Sequence, residues 1–255
     1  EEVADLVVRV SGWSLVEAAQ ETGRGIIFLT PHLGCYEISA QYVARTFPIT
    51  VLYRKPRQSW LAPLMEEGRC GSGASLQLAS ADLSGVRRLM KALKAGQAIG
   101  ILPDQVPSHG EGSWASFFDR PAYTMTLASK LSKSSNATVL LAFAERLPYG
   151  AGYHLQFFTP EEDVHDAAAL NREIERLIRL APTQYLWGYN RYKRPNDHGN
   201  MPPRIMKHAP LTPIPSPTLP LKGRETTDAP CSSPFKGVAG RGMGNVFHAK
   251  GAPDP

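Results

Sequence analysis

Long apolar runs are missing from this 255-residue sequence, and no stretch approaches the roughly 18 residues that a membrane-spanning helix needs. Cysteine is also scarce, with Cys35, Cys70 and Cys231 as the three examples. Their odd number and irregular spacing fit neither a disulfide framework nor a zinc site, so we expect a reducing compartment and no bound metal. The sequence has no Gly-rich phosphate loop and no Gly-x-Ser-x-Gly nucleophile motif, and nothing in it calls for a cofactor.

Residues 1–199 also lack a strong charge bias when they are counted separately from residues 200–255. The formal net charge is +5, but residues 1–199 carry 21 basic and 20 acidic side chains. Residues 200–255 carry 7 basic and 3 acidic side chains and so account for +4 of the total. The basic balance therefore gives no support to nucleic-acid binding by the body of the protein.

The last 56 residues differ in composition from the rest. They contain 11 of the 22 prolines and show no apolar periodicity. This composition is typical of disordered segments. We therefore predict one folded domain over residues 1–199 and a Pro-rich, disordered tail over residues 200–255.

Short apolar runs alternate with amphipathic stretches through the first 180 residues. The runs predict strands at 25–30, 49–53, 98–102, 138–146 and 153–158. Helical spacing predicts helices at 1–22 (interrupted near Gly12), 36–46, 82–95, 124–132 and 166–180. This alternation predicts a layered α/β/α fold with a largely parallel central sheet, in which functional residues collect where strands end.

His32 and Glu37 form the first candidate catalytic pair, and they follow the predicted strand at 25–30. Residues five apart on one helix point about 140° apart, so both can face one substrate only if a turn intervenes. Pro31 and Gly34 supply that turn. A carboxylate bonded to the imidazole would fix its tautomer and let His32 act as a general base. Taken alone, a His and a Glu at this spacing are more often ordinary surface residues.

A resemblance makes the interpretation more specific. The segment Gly25–Glu37 resembles the His-x₄-Asp/Glu block of the bacterial lipid A late acyltransferases. Similar blocks follow in the family's order, at Val51–Arg54, Gly68-Arg69, Leu83–Gly96, Ile101–Gln105, Phe117–Ala122, Pro182–Trp187 and Asn190–Lys193. Together they cover about residues 12–194, and ordered blocks over that length are far more specific than any one of them.

The resemblance implies an acyltransferase fold of the glycerol-3-phosphate acyltransferase type. It also implies transfer of a fatty acyl group from acyl carrier protein or acyl-CoA to a hydroxyl of a lipid A precursor, at the cytoplasmic face of the inner membrane. By motif match, His32 is the general base and Glu37 its partner, while Arg69 and Asp104 are further active-site residues. An Arg can hold a phosphate or an oxyanion, although Arg69 could equally be a solvated loop cation and Asp104 a turn residue.

Three further residues of the matching blocks are assigned to substrate binding: Arg54, Gln105 and Arg191. Clusters around Arg54 and Arg191 could receive anionic headgroups or an acidic carrier protein, but such clusters are equally often solvated faces. Cys35 is a conceivable acyl-enzyme nucleophile, though the chemistry requires none.

Two departures from the family pattern affect these assignments. Cys35 and Tyr36 stand where the family commonly has Asn and Trp, and no hydrophobic anchor precedes the first block. We therefore expect a chain without its natural start, peripheral to the membrane. A glycerolipid or phosphatidylinositol-mannoside acyltransferase with the same dyad, or an inactive truncated remnant, remains the alternative.

Overall fold

The computed structural model describes residues 3–53, Trp60 and residues 75–195. Arg54, Arg69 and the segment 200–255 lie outside the described residues, so the assignments made to them stay predictions. Within the described ranges no helix is long and apolar enough to cross a membrane.

Nine strands and five α-helices make up the described chain. The strands are β1 (Val7–Ser11), β2 (Ile26–Leu29), β3 (Ile49–Tyr53), β4 (Leu76–Ser80), β5 (Ala98–Ile101), β6 (Gly112–Phe117), β7 (Arg120–Met125), β8 (Thr138–Arg146) and β9 (Tyr153–Phe158). The helices are α1 (Trp13–Glu21), α2 (Tyr36–Ala44), α3 (Leu83–Lys94), α4 (Leu127–Ser135) and α5 (Ala167–Leu180). Single 3₁₀ turns lie at Val3–Leu6, Pro148–Gly150 and Pro182–Gln184.

Seven strands form one sheet in the order β1-β9-β8-β2-β5-β3-β4. The five strands from β8 to β4 run parallel, whereas β9 pairs antiparallel with β8 and β1 runs parallel to β9. Strands β6 and β7 form a separate antiparallel hairpin. The α/β fold with a largely parallel sheet is therefore confirmed, with β2 and β5 at the centre.

Apolar side chains cover both faces of the sheet because the central strands are apolar at every position. Ile26 and Phe28 of β2 pack with α1 and α2 on one face, while Ile27 and Leu29 pack with α3, α4 and α5 on the other. All four are at most 3% exposed. Their burial favours folding by about 1.5–3 kcal/mol per side chain and fixes β2, which carries the first catalytic candidate on its carboxyl end.

The N-termini of α3 and α5 are each capped by an aspartate side chain. Asp82 caps α3 by accepting a hydrogen bond from the Gly85 amide at 3.0 Å. Asp166 caps α5 by accepting from the amides of Ala168 and Ala169 at 2.9 and 2.8 Å. These caps satisfy amides that have no partner inside the helix, which explains why both predicted helices begin within a residue of their observed starts.

Some sequence predictions of local structure are wrong. Residues 7–11, assigned to the first helix, form the edge strand β1, because their β-branched residues pair with β9. Residues 124–125 belong to β7, so the helix predicted at 124–132 begins only at Leu127. Strand β4 and the hairpin β6–β7 were not predicted, since their mixed polar pattern has no clear period.

Candidate active site

Strand register brings the two principal site residues together. Strands β2 and β5 are neighbours and parallel, with Leu29 opposite Ile101. His32 and Asp104 each lie three residues beyond that pair. Because parallel strands end at the same edge of a sheet, the two side chains meet there. The prediction that both residues lie at this edge is confirmed.

The His32 imidazole is hydrogen-bonded on both ring nitrogens. Nδ1 lies 2.8 Å from Oδ1 of Asp104, and the His32 backbone amide donates to Oδ2 of the same carboxylate at 2.9 Å. Nε2 lies 3.1 Å from the amide nitrogen of Gln105. The hydrogen bond to the ring that the sequence analysis assigned to Glu37 is thus made by Asp104. The reason is the register, which places Asp104 opposite His32.

These contacts select one tautomer of His32. The Asp104 carboxylate only accepts hydrogen bonds, so Nδ1 carries the proton and donates it. The Gln105 amide nitrogen only donates, so Nε2 offers its lone pair. Asp104 is 2% exposed, and a buried carboxylate in this position also stabilises the imidazolium that forms when Nε2 takes up a proton. In this arrangement Nε2 can accept a proton.

Glu37 lies in the first turn of α2 and lines the same cavity as His32. The intervening turn predicted at Pro31–Gly34 is confirmed, because α2 begins only at Tyr36 and Gly34 has a φ of +59°. The Tyr36 ring packs edge-on against the imidazole, with the ring centroids 4.7 Å apart. Glu37 is therefore a second carboxylate at the site, and its catalytic role stays a prediction.

Gly34 is required where it stands. A Cβ at this position would lie 2.0 Å from the carbonyl oxygen of Ala144 on β8, and the positive φ also disfavours other residues. The close approach lets the Cys35 amide donate to that carbonyl at 2.8 Å. The turn that carries His32 is thereby fixed to β8.

A cavity of about 570 Å³ opens beside the imidazole, on the face of the sheet covered by α2. Its polar wall contains His32, Glu37 and Gln105, with Lys130 and Lys193 also among the lining residues. Its apolar wall comes from side chains of the sheet and α2, namely Phe28, Val43, Ile49, Val51, Leu76, Ala142 and Phe157. Gly100 of β5 is part of the lining, and the absence of a side chain there deepens the cavity.

The segment 184–191, which we name the strap, joins the loop that carries His32 to the loop that carries Asp104. The Gly34 amide donates to the Gln184 carbonyl at 3.1 Å, and the Leu186 amide donates to the His32 carbonyl at 3.0 Å. On the other loop, the Val106 amide donates to the Tyr189 hydroxyl at 2.9 Å. The strap therefore holds both the His32 turn and the Asp104–Val106 loop.

Arg191, at the end of the strap, is a buried structural cation. It is 3% exposed and donates to the Tyr123 carbonyl at 2.8 Å, the Thr124 hydroxyl at 2.6 Å and the Asn171 side-chain oxygen at 3.2 Å. It does not line the cavity as the structure describes it. Its hydrogen bonds are made to groups of the protein, and its assignment to substrate binding stays a prediction.

Electrostatic interactions link Arg191 and Tyr185 to the Asp104 carboxylate. Burial lowers the pKa of Arg191, and the nearby Asp104 carboxylate opposes that shift. Burial and, next, the Asp104 charge raise the pKa of Tyr185 well above its ordinary value, so its phenol stays protonated. A buried cation and a neutral phenol therefore both lie near the Asp104 carboxylate. Sequence reasoning missed Tyr185 and Tyr189 because nothing in the strap's local pattern shows which loop it crosses.

Comparison with known proteins gives matches to a single family. The family model described as bacterial lipid A biosynthesis acyltransferase matches residues 2–194. The chain is 30% identical over 191 residues to the lipid A biosynthesis palmitoleoyltransferase of Escherichia coli (strain K12), a match covering 72% of this chain and 61% of that protein. It is 30% identical over 195 residues to the lauroyltransferase of the same strain, with the same coverages.

A lipid A biosynthesis acyltransferase of Haemophilus influenzae is 28% identical over 202 residues, covering 74% of this chain and 64% of that protein. The chain thus spans about three fifths of the length of the curated relatives it matches. The match to the family model includes every described site residue, and the resemblance seen in the sequence is confirmed. The chain belongs to the bacterial lipid A biosynthesis acyltransferase family.

Proposed function

We propose that this chain transfers a fatty acyl group from an acyl thioester to a hydroxyl of a lipid A precursor, with His32 as the general base. The observation that carries the proposal is the His32 imidazole, held by a buried carboxylate at 2.8 Å in the wall of a largely apolar cavity. The relatives named for lipid A acylation support the choice of acceptor.

The chemistry follows from the tautomer of His32. Nε2 takes the proton of the acceptor hydroxyl as the oxygen attacks the thioester carbonyl. Asp104 stabilises the resulting imidazolium through Nδ1–H, and the ring then returns the proton to the departing thiolate. Such general-base catalysis contributes about 10²- to 10⁴-fold in rate.

The acyl chain lies along the apolar wall of the cavity in this proposal. A volume of about 570 Å³ is within the usual range of ligand sites, roughly 300–1,000 Å³. A Cβ on Gly100 would meet the Val51 side chain at 3.0 Å, so the glycine keeps this part of the wall open. Gly100 therefore helps to set the acyl length that fits.

Glu37 and the acyl donor complete the proposal. Glu37 lines the same cavity as His32 and serves as the second acidic group of the site, as the family motif implies. The donor is acyl carrier protein or acyl-CoA. Arg54 and Arg69 are assigned to contacts with the donor or acceptor by motif match alone.

We further propose that the protein works at the cytoplasmic face of the inner membrane as a peripheral protein. Leu186 and Trp187 of the strap are 46% and 55% exposed. Leu186 is bonded to the His32 carbonyl, so this apolar surface adjoins the catalytic turn. Exposed apolar side chains beside the catalytic turn suit substrates that reside in a lipid surface.

The test is acyl transfer by the purified full chain in detergent, with labelled acyl carrier protein or acyl-CoA and a lipid A precursor. Transfer that His32→Ala abolishes and the surface control His165→Ala leaves intact is the expected result. Transfer that persists in His32→Ala refutes the mechanism. Faster transfer to lysophosphatidate or a phosphatidylinositol mannoside refutes the choice of acceptor, and no transfer to any acceptor favours an inactive remnant.

A further inference from the structure

The side-chain amide of Gln105 is hydrogen-bonded to Nε2 of His32, the nitrogen that general-base catalysis needs. Its nitrogen lies 3.1 Å from Nε2 of His32, while Asp104 occupies Nδ1 at 2.8 Å. The imidazole is therefore fully hydrogen-bonded before any substrate arrives. An acceptor hydroxyl can reach the Nε2 lone pair only after the Gln105 amide has moved away from it.

The residues on either side of Gln105 are anchored. Asp104 accepts two hydrogen bonds from His32, and the Val106 amide is held by the Tyr189 hydroxyl at 2.9 Å. Gln105 itself is partly buried, and its side chain lines the cavity. The backbone is thus held near its present position, and rotation of the Gln105 side chain is the available movement.

We propose that Gln105 is a catalytic residue with two successive roles, covering Nε2 while the acceptor site is empty and then donating its amide N–H to the thioester carbonyl oxygen. This inference rests on the proposed function. An acceptor hydroxyl that displaces the amide from Nε2 leaves two N–H donors within the cavity, about one hydrogen-bond length from the reacting atoms. Donors in that position stabilise the negative charge that develops on the carbonyl oxygen.

The acceptor O–H proton passes to Nε2 while its oxygen forms a bond to the thioester carbon. The carbonyl electron pair moves onto oxygen, where the Gln105 N–H donates to it. The oxyanion then collapses, the carbon–sulfur bond breaks, and the thiolate takes the proton from Nε2 to give an ester and a free thiol.

The covering role addresses the competing reaction with water. A neutral imidazole aligned by Asp104 would activate water as readily as a lipid hydroxyl, and water would hydrolyse the thioester. The hydrogen bond from Gln105 to Nε2 raises the barrier to hydrolysis by roughly 0.5–1.5 kcal/mol, which lowers the rate of hydrolysis about two- to tenfold. Acceptor binding displaces the amide, so the covering does not slow transfer at saturating acceptor.

The first experiment compares transfer at saturating acceptor with thioester hydrolysis in the absence of acceptor. Gln105→Ala should lower the kcat of transfer by about 10²-fold, the usual loss for one oxyanion donor. Hydrolysis should fall less, because Nε2 is uncovered, so the ratio of transfer to hydrolysis should fall by about two- to tenfold. A kcat within about threefold of wild type, or an unchanged ratio, overturns the proposal.

The second experiment does not depend on acyl transfer. The ¹⁵N NMR signals of the His32 ring in the full chain are assigned with His32→Gln and recorded where the ring is neutral. Wild type should show protonated Nδ1 and a hydrogen-bonded Nε2 lone pair, and Gln105→Ala should move the Nε2 signal toward that of a free lone pair. Gln156→Ala, which removes a partly buried amide bonded to Glu145, should leave the signal in place.

The proposal is overturned, even if transfer is observed, if the wild-type His32 ring is protonated on Nε2. It is also overturned if the Nε2 signal does not change in Gln105→Ala. A wild type that transfers no acyl group, with an Nε2 signal that does respond to Gln105→Ala, refutes the proposed function and supports the covering contact. Failure of the proposed function and failure of this inference therefore give different results.

Discussion

Replacing Asp104 with Asn tests the site most directly, because the change removes one charge and alters no shape. The carboxylate accepts from Nδ1 at 2.8 Å and from the His32 amide at 2.9 Å. Asparagine has one accepting oxygen and one donating nitrogen, so it cannot accept both hydrogen bonds. If its oxygen keeps the backbone amide, its NH₂ faces Nδ1 and forces the proton onto Nε2. The general base then has the wrong tautomer.

The expected loss is large. In Asp104→Asn the imidazolium has no carboxylate partner, and Nε2 of the neutral ring carries a proton and cannot accept one. Both changes slow the transfer of the hydroxyl proton to His32. The equivalent change of a buried Asp to Asn in a serine protease triad lowers kcat by about 10⁴-fold. We therefore expect Asp104→Asn to lower the kcat of transfer by about 10³- to 10⁴-fold, which corresponds to roughly 4–5.5 kcal/mol of transition-state stabilisation.

The assay is transfer from a labelled acyl thioester to the lipid A precursor, with thermal unfolding measured on the same samples. Asp166→Asn is the matched control, because that carboxylate caps α5 away from the cavity and Asn caps equally well. Asp166→Asn should keep its activity. A folded Asp104→Asn protein that retains more than about a tenth of wild-type kcat would refute the reasoning.

Three further outcomes follow from other features. Gly34→Ala should lower the free energy of unfolding by about 2 kcal/mol or more in chemical denaturation, since its Cβ would lie 2.0 Å from the Ala144 carbonyl oxygen. Gly23→Ala has a similar positive φ but meets nothing within 4 Å, so an equal loss there would show that the clash is unimportant. Hydrogen bonds from Ser84 and then Gly85 lower the pKa of Asp82 from 3.8 to about 2, so its stabilisation is complete above about pH 4 and is lost as the pH falls toward 2. The denaturation midpoint of wild type should fall over that interval more than that of Asp82→Asn, and equal declines would contradict the assignment. Gly100→Val should shift transfer toward shorter acyl chains in a donor panel, and an unchanged chain-length profile would remove Gly100 from the acyl cavity.

Much of the fold could be predicted from the sequence because β2 and β5 are apolar along their length, the middle of β8 is apolar, and helices with apolar faces lie between the strands. The same reasoning located His32 and Asp104 at the sheet edge. It failed for β1, whose partner β9 lies about 145 residues away, because a five-residue edge strand has no local signal distinguishing it from a helix start.

The partner of the imidazole was not readable in the same way. His32 and Glu37 are close in sequence, so the motif suggested that pair, whereas Asp104 is 72 residues away. The register of β2 against β5 decides the matter, and single-strand patterns do not contain register. The burial of Arg191 follows likewise from the packing of the strap on β7 and α5, which its basic surroundings in the sequence concealed.

The strap also determines when the catalytic centre is complete during synthesis. The strands that carry His32 and Asp104 leave the ribosome long before residues 184–191, yet the bonds to the His32 carbonyl, Gly34 and Val106 come from that later segment. A nascent chain can therefore pair β2 with β5 before the strap has formed its hydrogen bonds to the His32 turn and to Val106. If the chain has the proposed function, activity should appear only after the strap has emerged.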